Sequence, residues 1–211
     1  MRILTVSPDL YARHPSFLKQ MYRLRAAVLG GRLEWDVSIR EGEERDQYDD
    51  FKPTYVLAIT ESGLVAGCVR LLPAGGPTML ERTFPQLLEK GSLATHPGVV
   101  ESSRFCVDTS LASQRDGGQL HLATLTLFAG IIEWSIANGY SEIVTATDLR
   151  FERILKRAGW PMRRLGDAVP IGNTIAIAGS LPADRVSFEQ VCPPGYRSIR
   201  QIDSAPIRSA A

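Results

Sequence analysis

Two opposite charges lie inside a strand-like apolar run, residues 99–108, and this run constrains the fold most strongly. Its valines, phenylalanine and cysteine favour a strand in the middle of a sheet. Glu101 and Arg104 interrupt the apolar residues. Because burying an unpaired charge is costly, such a strand needs charged partners from elsewhere in the chain or a polar ligand.

The spacing of Glu101 and Arg104 is also informative. In a regular strand, residues three apart point to opposite faces of the sheet. The two charges reach one site only if the strand bulges, as strands beside active sites often do, or else they serve different walls of a cleft. The sequence leaves both alternatives open.

The chain of 211 residues is long enough for one good-sized α/β domain, and residues 1–211 are expected to form a single unit. Its formal net charge of +1 gives no reason to expect nucleic acid as a partner. No apolar run approaches the roughly 20 residues that span a bilayer, and the first residues lack a signal-peptide core. Three cysteines without metal-ligand spacing predict reduced thiols and no metal site. We therefore expect a cytoplasmic protein without membrane association.

Strand-like and helix-like runs alternate along most of the chain. They comprise a strand at 3–6, a helix at 8–25 ended by Gly30 and Gly31, a hairpin at 55–60 and 64–72, a helical stretch at 79–88, the charged strand, a polar loop at 113–118, a helix at 119–138, a strand at 141–147, a helix at 149–158 and a strand at 174–178. This order predicts an α/β fold with a mixed sheet between helices. Residues 182–211 show little periodicity and are expected to be a tail.

Two segments carry unusual charge. Residues 25–51 have no sustained periodicity, and we expect them to form an irregular substrate-binding loop. In this segment Asp46 and Asp49 flank Tyr48, with Trp35 upstream; carboxylates and an aromatic ring can hold a sulfonium or ammonium group, although a solvated surface is the alternative. Basic residues crowd 150–164 and form either a solvated helix face or a site for an acidic partner.

Several enzyme classes lose support because their motifs are absent from the sequence. It contains no Walker loop, no Gly-x-Gly-x-x-Gly and no Gly-x-Ser-x-Gly. Cys106 shows no arrangement with His96 or His121 that would activate a thiol nucleophile.

Taken in chain order, the charged and aromatic residues resemble those of the LuxI-type N-acyl-homoserine lactone synthases, which make quorum-sensing signals. Within that family the chain is most similar to the synthases encoded beside conjugal-transfer genes on plasmids of agrobacteria and rhizobia. The resemblance covers nearly the whole chain. The matching pieces are Arg25, residues 32–35, 44–49, 68–71, 101–105 and 154–160.

The resemblance implies an N-acetyltransferase-like fold, a three-layer α/β/α sandwich around a mixed, mostly antiparallel sheet. It implies S-adenosylmethionine as the amine-donating substrate, an acyl carrier protein as the acyl donor, and no permanently bound cofactor. The family usually has Phe four positions after its first arginine, where this chain has Leu29. The residues matching the S-adenosylmethionine pocket are Arg25, Trp35, Asp46, Asp49, Arg70, Glu101, Arg104 and Phe105.

In that reaction a neutral amine attacks a thioester, and Glu101 is the candidate general base, directly or through water. Arg70 and Arg104 are expected to assist catalysis, holding Asp46, Asp49 and Glu101 in place or touching the substrate carboxylate. Backbone N–H groups of the strand are candidates for stabilising the oxyanion.

The resemblance also implies an acyl site and a docking face. Thr145 matches the position where family members that prefer 3-oxo chains carry Thr, and a medium chain of eight carbons is expected. The expected acyl-chain residues are Thr145, Ser103, Leu122 and Leu125, with Thr126, Ala129 and Ile175 as further candidates. The acidic carrier protein is expected to dock on Arg150, Arg153, Lys156 and Arg157.

Two other functions stay open at this point. One is an acyltransferase of the same fold that uses acyl-coenzyme A, although residues 114–118 are a poor version of its Gly-rich pyrophosphate loop. The other is a binding module without enzymatic activity, in which the acidic loop and the basic helix recognise partners.

Overall fold

Strand alternation sorts the apolar side chains onto two faces of one sheet. In the computed structural model, which describes residues 1–110 and 121–197, Val56 and Ala58 point into one core, and Tyr55, Leu57 and Ile59 into another. The strands are β1 (Arg2–Val6), β2 (Ile39–Arg40), β3 (Glu43–Glu44), β4 (Thr54–Ile59), β5 (Val65–Pro73), β6 (Val99–Val107), β7 (Glu142–Asp148), β8 (Arg163–Arg164), β9 (Val169–Ile171) and β10 (Thr174–Pro182). The α-helices are α1 (Pro15–Arg25), α2 (Met79–Arg82), α3 (Leu122–Ala137), α4 (Leu149–Arg157) and α5 (Arg185–Val191).

The main sheet has the strand order β1-β4-β5-β6-β7-β10-β8, with β9 also paired to β10. Its pairs are antiparallel except β6 with β7, which is parallel. Helix α3 packs on one face and α1 on the other. The predicted mixed, mostly antiparallel α/β/α architecture is therefore confirmed, and the charged strand β6 lies at the centre of the sheet.

Strand β6 bulges at Arg104. Cys68 of β5 faces Cys106, but Arg70 faces Ser103, so β6 carries one residue more than β5 between these two pairs. Arg104 has φ +56°, in the left-handed region that few non-glycine residues adopt. The bulge changes the alternation of side chains after Glu101, which confirms the first of the two alternatives that the spacing left open.

Strands β6 and β7 separate after a short contact. They pair only from Val99 to Glu101 on β6 and from Glu142 to Val144 on β7, although both strands continue further. Within the described residues, the two strands thus leave a gap at their carboxyl ends. This gap opens beside the bulge.

Three local predictions need correction. Gly30 and Gly31 do not end the first helix, because a π-helix, Ala26–Arg32, continues α1. The segment after Pro182 is not wholly irregular: Asp184 accepts a hydrogen bond from the Ser187 N–H and caps α5. The predicted helix at 79–88 is α2 followed by a 3₁₀ turn, Pro85–Leu87, because Pro85 interrupts the hydrogen-bonding.

Three predictions fall wholly or partly on residues outside the described ranges: the polar loop at 113–118, with the Gly-rich stretch at 114–118, the first two residues of the helix predicted at 119–138, and residues 198–211 of the tail. Asp148 caps α4 by accepting a hydrogen bond from the Phe151 N–H at 2.7 Å.

No helix among residues 1–110 and 121–197 has the length and the apolar character needed to span a bilayer.

Candidate active site

A single turn, the 3₁₀ helix Gln47–Asp49, fixes two of the predicted carboxylates. Asp46 accepts a hydrogen bond from the Tyr48 N–H, and Asp49 accepts one from the Asp46 N–H, both at 2.9 Å. This reciprocal capping holds both side chains in one orientation. Their remaining oxygen lone pairs are available to cations.

Three arginines and three carboxylates form a buried network against this turn. Arg25 binds Asp49 through two parallel hydrogen bonds of 2.8 and 2.9 Å, and also binds Glu44. Arg70 binds Asp46 and Asp49. Arg104, carried by the bulge, binds Glu44 at 3.1 Å and Asp46 at 2.6 Å. Each carboxylate therefore contacts two guanidinium groups, the pairing that buried charges require.

The network charges are stable near neutral pH. Burial alone would raise the pKa of Asp46 and Asp49, but hydrogen bonds and charge from Arg70 and Arg25 hold both pKa values below the ordinary 3.8. Burial likewise works against the charged form of Arg70, and Asp46 and Asp49 nevertheless raise its pKa. The network is thus a rigid wall in which positive and negative charges balance.

Glu101 is buried beside this network without being part of it. Only 1% of its surface is exposed, and its two oxygens accept hydrogen bonds from the backbone N–H groups of Met79 at 2.9 Å and Leu80 at 2.7 Å. Of the three carboxylates that Arg70 and Arg104 were predicted to hold, Asp46 and Asp49 are bound by these arginines, but Glu101 is bound by backbone N–H groups of α2 instead. Burial raises the pKa of Glu101, although the two N–H groups partly offset this effect.

Two cavities meet at the gap between β6 and β7. The Glu101 cavity, about 510 Å³, is lined by Glu101, Met79 and Phe84 among others. The Phe128 cavity, about 610 Å³, is lined mainly by apolar and aromatic groups of β6, β7, α3 and α4. The residues that line both cavities are Trp35, Ser103, Arg104, Ala146 and Thr147. Groups bound in the two cavities would therefore meet at the bulge.

Of the residues predicted for the S-adenosylmethionine site, Trp35, Glu101 and Arg104 line the Glu101 cavity. Arg25, Asp46, Asp49 and Arg70 are brought together in the network behind its wall. Phe105 lies in the other cavity, its ring centre 4.8 Å from that of Phe151 and 5.4 Å from that of Phe128. Leu29, in place of the family Phe, is 1% exposed and also lines the Phe128 cavity.

Only some of the residues predicted to contact the acyl chain line a cavity. Thr145 and Ser103 line the Phe128 cavity. Leu122 and Leu125 do not belong to its described lining, because α3 turns Thr124, Phe128 and Ile131 toward it instead. The further candidates Thr126, Ala129 and Ile175 also lie outside that lining. Residues at this i, i+4, i+7 spacing share one helix face.

Sequence reasoning did not single out two residues that hold the network. Glu44 is completely buried between Arg25 and Arg104, although its neighbours in a run of acidic residues suggested a solvated surface. Tyr55, which lies in β4, donates a hydrogen bond of 2.8 Å to Asp49. The only sequence signal for Glu44 was its place in the matching segment 44–49.

Cys106 is not placed as a nucleophile. It lies opposite Cys68 in the sheet, both thiols are buried and free, and burial raises the pKa of Cys106. A thiol whose deprotonation is opposed in this way is inert rather than reactive. Among the described residues, no group of three or more histidines, cysteines or carboxylates is arranged to hold a metal ion.

The predicted basic residues lie on the exposed side of α4. Arg150, Arg153, Lys156 and Arg157 are all exposed, and Arg150 and Arg157 also line the Phe128 cavity. The one acidic residue of this helix, Glu152, is bound by Arg164 through two hydrogen bonds of 2.7 Å. This face therefore carries a local positive charge beside the cavity.

Comparison with known proteins identifies similar chains over nearly the whole length. The sequence profile described as autoinducer synthase matches residues 9–191. The chain is 82% identical to an acyl-homoserine-lactone synthase of Agrobacterium fabrum, with all of both chains covered. The crystal structure of the AHL synthase LasI has a TM-score of 0.77 at 29% identity, covering 90% of this chain and 93% of LasI. BjaI, a CoA-dependent acyl-homoserine lactone synthase solved with SAM and isopentyl-CoA, gives 0.79 at 25% identity, covering 90% and 87%.

Proposed function

The chain belongs to the autoinducer synthase family and is an acyl-homoserine-lactone synthase, and we propose that it joins S-adenosylmethionine to an acyl chain from an acyl carrier protein. The amine of S-adenosylmethionine attacks the thioester carbonyl, the C–N bond forms, and the carrier thiol leaves. The substrate carboxylate then displaces methylthioadenosine from the γ-carbon and closes the lactone. The second step depends on positioning more than on acid or base.

The charge of the Glu101 cavity is the observation that carries this proposal. The three arginines of the network balance Glu44, Asp46 and Asp49, so Glu101 leaves one buried negative charge beside the cavity. The exposed carboxylates Glu34 and Asp36 line the same cavity and add to its negative charge. S-adenosylmethionine, with a sulfonium, an ammonium and a carboxylate, carries one net positive charge. Trp35 lines the same cavity, and an indole ring can bind a sulfonium through its π face. The presence of SAM in the BjaI structure supports this assignment.

Glu101 is our candidate for the general base. Its raised pKa brings the carboxylate closer to the range in which a base works well near neutral pH. Each of its oxygens accepts one backbone hydrogen bond and keeps a further lone pair, so the amine proton can pass to it directly or through one water.

The Phe128 cavity is suited to the acyl chain, and we assign a 3-oxo chain of medium length, 3-oxooctanoyl. Its aromatic and aliphatic wall favours a hydrocarbon. The Thr145 hydroxyl is in the wall and donates to the Ala146 carbonyl at 3.4 Å, a long contact that a 3-oxo oxygen can replace.

Thr145→Val is expected to reduce the preference for 3-oxooctanoyl over octanoyl carrier protein by about 3- to 10-fold, the effect of one neutral hydrogen bond. The ratio of the two kcat/KM values measures this preference. Thr126→Val serves as the control, because Thr126 is buried in α3 but lies outside the described cavity lining. An unchanged ratio in Thr145→Val would remove Thr145 from the specificity site.

The basic face of α4 is our proposed docking surface for the acidic carrier protein. It lies beside the Phe128 cavity, so a carrier bound there can deliver its thioester into that cavity. Complementary charge accelerates such encounters and makes them sensitive to salt.

Reversing two of these charges, Arg153→Glu with Lys156→Glu, should raise KM for acyl carrier protein at least about 10-fold at low salt. The matched control reverses Arg13 and Lys19, two exposed residues of the N-terminal helical segment, and should leave KM nearly unchanged. An equal increase in both double variants would show a general charge effect rather than docking.

An assay of methylthioadenosine release tests the proposed reaction. The protein is incubated with S-adenosylmethionine and either 3-oxooctanoyl carrier protein or 3-oxooctanoyl-coenzyme A, and mass spectrometry identifies the lactone. Carrier-dependent release of methylthioadenosine together with an eight-carbon 3-oxo lactone is expected. A clear preference for the coenzyme A thioester would favour the second candidate, an acyl-CoA-dependent synthase, to which the BjaI similarity gives weight.

A further inference from the structure

Met79 connects the two parts of the site. Its backbone N–H donates to Glu101 at 2.9 Å, and its side chain lines the Glu101 cavity. Its thioether sulfur accepts hydrogen bonds from Arg70 at 2.9 Å and from Arg104 at 3.4 Å. Two guanidinium groups thus direct one N–H each toward a single sulfur atom at the cavity wall.

A thioether is a weak hydrogen-bond acceptor. The other hydrogen bonds of these two arginines go to carboxylates or to the Ser103 hydroxyl. The two N–H groups at Met79 therefore have a weaker acceptor than these other hydrogen bonds have, and they point toward the same place. A carboxylate at that place would make charge-assisted hydrogen bonds, which are roughly twice as strong as neutral ones.

Met79 is also able to move away. Its side chain is unbranched, with three rotatable bonds, and it borders a cavity of about 510 Å³. Arg104 already lines that cavity, whereas Arg70 is completely buried with Met79 against it. Rotation of this one side chain would expose the second guanidinium to a ligand.

We propose that Met79 is a movable cover over Arg70 and Arg104, and that the carboxylate of the amine substrate replaces its sulfur on binding. The identity of that substrate rests on the proposed function. Met79 is thereby a positioning residue. Its sulfur holds the two arginines in place in the free enzyme and releases their N–H groups when the carboxylate binds. The pair then orients the group that closes the lactone ring.

The test compares two ligands that differ only in this group, S-adenosylmethionine and its decarboxylated form. The carboxylate preference is the dissociation constant of the decarboxylated form divided by that of S-adenosylmethionine, both measured by calorimetry. Met79→Leu removes the sulfur but keeps the apolar volume and the backbone N–H, so the arginine pair loses its acceptor in the free enzyme. The preference should rise about 3- to 10-fold, the effect of one or two weak hydrogen bonds.

Met79→Gln supplies the opposite change. Its amide oxygen is a better acceptor than sulfur and should hold the arginines against the ligand, so the carboxylate preference should fall. A merely structural role would not move the ratio in opposite directions in the two variants. The control is Met162→Leu, which changes a half-buried methionine outside the described linings of both cavities.

The outcomes separate the two proposals. Binding of both ligands with the same ratio in wild type, Met79→Leu and Met79→Gln would overturn the cover and leave the substrate assignment in place. A lower ratio in Met79→Leu would show that the sulfur helps the carboxylate bind, which also overturns it. Failure of the wild-type protein to bind S-adenosylmethionine would overturn both.

Discussion

Arg70→Met is expected to lower the free energy of unfolding by about 3–5 kcal/mol, the usual cost of removing one partner of a buried charge network. Arg70 is completely buried and contacts Asp46 and Asp49 together. Methionine is an apolar side chain of similar length. The loss of stability therefore arises mainly from the two carboxylates that no longer have this guanidinium as a partner. Urea unfolding at neutral pH, followed by circular dichroism, measures it.

The matched control for this prediction is Arg164→Met. Arg164 binds Glu152 with comparable geometry, but its side chain is 46% exposed, and exposed pairs contribute only about 0–1 kcal/mol. Equal losses in the two variants would contradict the proposed importance of the buried network. The comparison therefore separates burial from hydrogen-bond geometry.

Acid should reduce the difference between wild type and Arg70→Met. The network lowers the pKa of Asp46 and Asp49 in the folded state, so their contribution to stability is fully present above the ordinary pKa near 3.8 and is lost progressively as the pH falls from that value through the lowered folded-state pKa values. Below about pH 4 the wild type loses part of the stability that these ion pairs provide. The difference in free energy of unfolding between wild type and Arg70→Met should therefore become smaller.

Glu101→Gln is expected to reduce turnover by about 10²- to 10⁴-fold, the usual contribution of a general base. The amide is almost isosteric with the carboxylate but cannot take a proton from the amine. Methylthioadenosine release at saturating substrates measures the effect. Unfolding curves serve as the control for folding, because an amide can accept only one of the hydrogen bonds from Met79 and Leu80.

A pH profile separates a base from a residue that only holds α2. At high pH the substrate amine is already neutral, so the deficit of Glu101→Gln should shrink as the pH rises. In the wild type, activity should fall as acid protonates Glu101, at a pH above the ordinary carboxyl value because burial raises this pKa. A deficit that is constant across pH would assign Glu101 a structural role instead.

The sequence was informative where one strong local rule applied. Three-residue spacing of two charges in a strand is incompatible with a regular strand serving one site, and β6 indeed bulges at Arg104. The alternation of side chains in β4 and the cap at Asp148 follow from equally local rules. The family resemblance identified five of the six charged residues that form the network, all except Glu44.

The partners of those residues depend on tertiary structure and were harder to predict. Glu101 binds backbone N–H groups of α2, and no side-chain pattern signals such donors. Helix α3 is buried on most of its circumference, so its apolar periodicity could not select the face with Thr124 and Phe128 over the one with Leu125. Glu44 was hidden in an acidic run that resembled solvent-exposed surface.

The separation of β6 from β7 has a consequence for how signals diversify. Because the gap divides the site into two cavities that share only five of their described lining residues, most of the Phe128 cavity is independent of Glu101 and its surroundings. On the proposed assignment of the Phe128 cavity to the acyl chain, substitutions at positions such as Ile131, Leu155 or Leu181 are expected to alter the length of the accepted chain without contacting the Glu101 cavity. A lineage can thereby evolve a signal with a different acyl chain in few mutational steps, while the lactone ring of that signal is preserved.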